Sequence, residues 1–86
     1  MEKSDFPKEY IELANRFFQA LEALKQRDDI RGMGTFIREH DIDKRNFYKV
    51  RDYIIRIKPE WLVYLVRDYK ISTEWLILGK GGMFGK

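Results

Sequence analysis

The 86-residue chain has no cysteine, which excludes disulfide stapling, thiolate catalysis and cysteine ligation of a metal. A chain without thiols suits a reducing compartment, and the expected location is cytoplasmic. Histidine appears once, as His40, and there are only two serines and two threonines, so a nucleophile–base–acid set is nearly unobtainable and no enzyme is expected. No apolar run approaches membrane-spanning length. The opening residues carry Glu2 and Asp5 without an apolar segment behind them, so no signal peptide and no membrane partner are expected. Proline is limited to Pro7 and Pro59, which leaves long stretches free to be helical.

What is present suffices for one small core. The hydrophobic fraction is 44% and the aromatic fraction 15%, enough to exclude disorder at a length where a single core is only just adequate. Residues 1–6 read as a flexible N-terminus, 7–79 as the folded domain and 80–86 as a C-terminal tail. Pro7 suits a first helical turn, with Glu9 and Glu12 complementing the helix dipole. Leu13, Ala14, Phe17, Phe18, Leu21 and Leu24 recur at steps of three and four, predicting an amphipathic first helix with Asn15, Arg16, Gln19, Glu22, Lys25 and Gln26 outside. Residues 27–31 then read as a connection anchored by Ile30.

Residues 32–51, GMGTFIREHDIDKRNFYKVR, predict two short helices joined by a tight turn. Gly32 and Gly34 open the first, and without side chains they let a phosphate approach its free N–H groups. They do not make a dinucleotide fingerprint, since Ile37 stands where a third glycine belongs and no strand precedes. His40 is expected at the surface in that helix's last turn, favouring the negative end of the dipole. Asp43 is expected to cap the second helix. With Phe47 and Val50 inward, Lys44, Arg45, Tyr48, Lys49 and Arg51 face outward.

Charge is concentrated here. Six cations between positions 44 and 58, Lys44, Arg45, Lys49, Arg51, Arg56 and Lys58, face the single carboxylate of Asp52 and give +5, whereas the whole chain carries only +3. The plainer reading is a solvated lysine and arginine face, but a cationic, hydrogen-bonding surface on the second of two such helices suits a nucleic-acid groove better. Asp41 and Asp43 do not begin a calcium loop, because Arg45 and Asn46 occupy positions that need a ligand and a glycine. The GKGG stretch follows a helix and lacks the lysine and hydroxyl residue of a phosphate-binding loop. No metal, cofactor or small-molecule ligand is expected.

The rest completes an all-α plan. Residues 52–58, with Tyr53, Ile54, Ile55 and Ile57, read as a packed loop that Pro59 keeps from joining the next helix. Pro59 opens a fourth helix to Tyr69 with Leu62, Leu65, Val66 and Tyr69 inward, and Ser72 caps a fifth, Thr73 to Leu78, ended by Gly79. Phe17, Leu21, Phe36, Ile42, Phe47, Val50, Leu62, Leu65, Val66 and Leu76 are expected at the centre.

Residues 32–51 resemble the helix-turn-helix of the phage-repressor family (Cro and lambda-repressor-like), and Trp75, Leu76 and Gly79 after a capped turn are similar to the close of many such domains. These two parts lie within the span from Arg16 to Phe84 over which the resemblance extends. This chain has Asp41 where the family usually has a turn glycine, and aspartate tolerates the left-handed conformation better than most residues. Met33 stands where the family commonly has a phosphate-contacting glutamine, and Ile37 where it has a small residue. The resemblance implies a compact five-helix DNA-binding domain, with the helix-turn-helix as its second and third helices. It further implies sequence-specific binding of double-stranded DNA by a small transcriptional regulator, a repressor, with the third helix (about 44–52) in the major groove. Lys44, Arg45, Asn46 and Tyr48 are then expected at base edges, and Arg31, Gly32, Gly34, Lys49 and Arg51 at phosphates. A homodimer is expected through apolar C-terminal residues Trp75, Ile77, Met83 and Phe84, reading half-sites one helical turn apart. The rival expectation is a protein-interaction module or antitoxin using the same fold.

Overall fold

A computed structural model describes residues 6–85. Among the described residues the chain forms five helices and no strand: α1 (Lys8–Gln26), α2 (Met33–Glu39), α3 (Lys44–Arg51), α4 (Pro59–Tyr69) and α5 (Thr73–Leu78). The all-α, five-helix expectation holds. Residues 1–5 of the expected flexible N-terminus lie outside the described residues, while Phe6 lies edge-on against Tyr10 with ring centroids 4.8 Å apart.

The centre of the molecule is aromatic. α1, α2, α3 and α4 each contribute one ring, Phe17, Phe36, Phe47 and Trp61, all but excluded from solvent. Phe17 lies 5.9 Å from Phe36 and 6.1 Å from Trp61, and Phe47 lies 5.5 Å from Trp61, so one stack of rings ties four helices together. Leu21, Leu24, Val50, Leu65, Ile71 and Leu76 fill the space around it. The sequence phase of α4 needs correction. Trp61 and Leu65 carry the buried line, whereas Leu62 and Val66, expected at the centre, are half-buried, as is Ile42 in the turn. With Trp61, Leu62, Val63, Leu65 and Val66 all apolar, the stripe of α4 is wider than the core can cover, and the largest side chain takes the centre.

Helix ends follow local rules with an unusual residue choice. α1, α2 and α3 each run into a residue with positive φ, Asp28 (68°), Asp41 (55°) and Tyr53 (63°). In each, two backbone N–H groups fold back to close the end, as in Ile42 N–H to the Ile37 carbonyl at 2.9 Å and Asp41 N–H to the Arg38 carbonyl at 3.3 Å. Left-handed residues at these ends satisfy carbonyls that would otherwise be orphaned. Residues 52–58 form the expected packed loop: Ile57 is buried and its N–H donates to the Tyr10 hydroxyl at 2.8 Å. Burial pushes the Tyr10 phenol up, against the lowering effect of that backbone donor.

α5 is built as expected at both ends. The Ser72 hydroxyl accepts from Trp75 N–H at 3.2 Å, and Gly79 closes the helix at φ 72°. Arg16, expected on the outer face of α1, instead reaches α5 and donates from Nε to the Leu76 carbonyl (2.8 Å) and from Nη2 to the Ile77 carbonyl (2.9 Å). A cation at the negative end of a short helix stabilises it. Glycine suits position 79 because its φ of 72° strains a residue with a side chain, and a Cβ there would also lie 3.1 Å from the guanidinium. The segment after α5 folds back: Ser72 N–H donates to the Met83 carbonyl at 2.7 Å, and the Arg27 guanidinium covers the Phe84 ring at 4.0 Å. Trp75, Met83 and Phe84 pack, half-buried, against the molecule's own core.

Candidate nucleic-acid interface

α2 and α3 are joined by four residues, His40 to Asp43, and this turn sets the exposure of everything on α3. Asp41 takes the left-handed conformation expected of it, at φ 55°. Ile42 then packs against the core, so the chain re-enters in register for α3. Asp43 caps α3 as expected, its carboxylate accepting from Arg45 N–H at 2.9 Å and Asn46 N–H at 3.2 Å. Ile37, at the position where repressor-type helices are small, is buried at 8% exposure, and the turn closes on its carbonyl.

His40 differs from its expectation. Its side chain is only 7% exposed, enclosed rather than at the surface. The ring stacks on Tyr64 at 4.5 Å and 15°, with Nδ1 3.0 Å from the Phe36 carbonyl and Nε2 2.9 Å from Asp68 Oδ2. Both partners are acceptors, so a ring carrying two N–H groups satisfies both contacts and a neutral ring satisfies one. The result is a tether from the end of α2 to α4. Beside it the Tyr69 hydroxyl donates to Glu39 at 3.3 Å, and burial next to that carboxylate pushes the phenol up to about 12.

On α3, Phe47 and Val50 are buried, and Lys44, Arg45, Lys49 and Arg51 are exposed. Asn46 and Tyr48 are half-buried. Tyr48 lies edge-on to Phe47 at 5.6 Å, and the Arg51 guanidinium sits over its ring at 4.6 Å, with Nε 3.9 Å from Asp52. The helix carries four cations and no acid, with Asp43 and Asp52 only at its flanks. Of the two other cations in the charged segment, Arg56 is drawn away, lying over Phe6 at 4.9 Å and Tyr10 at 5.0 Å. That aromatic engagement leaves no trace in a charge count.

Arg31, Gly32 and Gly34 lie at the far end of α2 from the turn, roughly 10 Å along a helix of this length. Arg31 and Gly34 are exposed, and nothing lies within 4 Å of a Cβ built at either glycine. Gly32 is extended at φ 167°, so neither packing nor backbone strain demands glycine there. Arg38, which the sequence reading did not single out, is a further exposed cation in the last turn of α2. Its position one turn before Asp41 is the signal that could have drawn attention to it.

Compared with family models, curated proteins and solved structures, the chain matches none. Among the described residues no helix is long and apolar enough to cross a membrane.

Proposed function

We propose that the protein binds double-stranded DNA in a sequence-specific manner, with α3 in the major groove, and acts as a small transcriptional regulator of the repressor type. The observation that carries this reading is α3 itself: a capped eight-residue helix that buries Phe47 and Val50 and exposes Lys44, Arg45, Lys49 and Arg51 with no acid among them. Lys44, Arg45 and Asn46 occupy the first turn, the part of a recognition helix that approaches base edges. Tyr48 joins them as a half-buried ring whose position is fixed by Phe47 and Arg51. Lys49 and Arg51 meet phosphates further along, and Arg31 with the open backbone of Gly32 and Gly34 meets the strand on the other side of the turn.

A protein-docking version of the same helix would expose apolar side chains in place of these cations. Selection from random duplexes tests the reading: a single enriched site of several base pairs is expected, with Arg45→Ala relaxing preference at one of them. Recovery of no common sequence, together with unchanged selection by the Arg45→Ala protein, would turn the assignment towards the protein-interaction alternative.

A further inference from the structure

The surplus apolar stripe of α4 continues onto α5. Leu62, Val63 and Val66 of α4, with Leu76 and Ile77 of α5 and Pro59 at one end, line a groove of about 350 Å³. Val63 is 51% exposed and Ile77 44%. Contiguous exposed apolar side chains on a small domain mark an interaction surface.

The charges around the groove select the occupant. Glu60, Val63 and Arg67 are spaced by three and four residues, so they share one exposed face of α4, with the acid in the first turn and the base in the last. Such a face is complementary to itself in one orientation only. A second α4 laid antiparallel across it, with the two-fold axis level with positions 63 and 64, sets each Glu60 opposite the other copy's Arg67 and brings the two Val63 side chains together. A parallel arrangement stacks like charges at both ends. Arg67 is also ordered in advance: Asp68 accepts from its Nε at 2.7 Å and from Nη2 at 3.0 Å, and Asp68 is itself fixed by His40. Less side-chain freedom is then lost on association.

We infer that the protein forms an isologous homodimer through this face, α4 antiparallel to α4 of a second copy, with Ile77 at the flank. Of the apolar residues expected from sequence to pair two subunits, Ile77 alone belongs to this groove. The dimer rests on α4 and α5 and not on the nucleic-acid reading, so the two stand or fall separately.

Sedimentation without DNA tests it over about 1–100 µM protein, a range that spans micromolar dissociation constants. Wild-type protein is expected to pass from monomer to dimer, and Val63→Glu to weaken the dimer by roughly tenfold or more. Glu60→Arg and Arg67→Glu each place like charges opposite one another and are expected to be monomeric where the wild type is dimeric. Mixed in equal amounts, these two charge-reversed proteins are expected to form heterodimers, because each reversed face then meets its complement. A wild-type monomer throughout the range overturns the inference, as does a dimer indifferent to Val63→Glu. A dimer that Val63→Glu weakens, but that the mixture fails to restore, overturns the antiparallel arrangement. Far-UV circular dichroism and thermal melting on every variant separate loss of pairing from loss of fold.

Discussion

Asp68 accepts hydrogen bonds from the Arg67 guanidinium on its own helix and contacts the His40 ring at the end of α2. The Arg67 hydrogen bonds, and after them the one from His40, hold its carboxyl well below the usual carboxylate range. A group depressed in this way contributes stability that is full above the ordinary carboxylate range and is lost as pH falls through its folded value. Stability should therefore decline below about pH 4, and Asp68→Asn should flatten that acid limb. Urea midpoints of both proteins from neutral to strongly acid pH measure this, and parallel acid limbs would contradict it. On α3 the neighbouring side chains divide by role. Arg45→Ala should cost on the order of 1–3 kcal/mol on the selected site while barely altering non-specific binding. Arg51→Ala should weaken all duplexes alike and lower the slope of log K against log salt by about 0.9 per lost phosphate contact. The same loss on selected and scrambled duplexes for Arg45→Ala would remove it from the base-reading set.

At the scale of elements, the helices were legible in the sequence where a cap and a period agreed. Pro59, Ser72, Gly79 and Asp43 mark ends that the structure reproduces, and the stripe from Ala14 to Leu24 places α1. Phase was legible only where apolar residues were few. α3 has Phe47 and Val50 and no alternative, whereas α4 offers five apolar side chains, and the spacing of Leu62 and Val66 was as good a guide as that of Trp61 and Leu65. Arg16 and His40 were misplaced for a different reason: their partners lie 60 and 28 residues away, beyond any local pattern, as do the rings under Arg56, 46 or more residues away. Asp41 follows from local chemistry alone. A non-glycine residue held at positive φ carries a conformational cost of roughly 1 kcal/mol, so Asp41→Gly should stabilise by about 0.5–1 kcal/mol in equilibrium unfolding, with the turn unchanged. A destabilised variant would show that the aspartate side chain makes the turn in some other way.

For the whole molecule, one aromatic stack supports both the fold and the presentation of α3. Phe47 is fully buried among Phe17, Phe18, Phe36 and Trp61, and Phe47→Ala should cost about 3–5 kcal/mol. Loss below about 1 kcal/mol would mean that α3 is not seated by this residue. The same seating turns the helix's cations to solvent, in a chain whose net charge of +3 is smaller than that of one short segment. Sequence-specific DNA binding is the central claim, and the most direct test is the affinity of the wild-type protein for its selected duplex and for a scrambled one, each measured across a salt series. The expected result is a preference of about 4 kcal/mol or more for the selected site, with log K falling linearly in log salt for both. Equal affinities and no salt slope would contradict DNA recognition by α3.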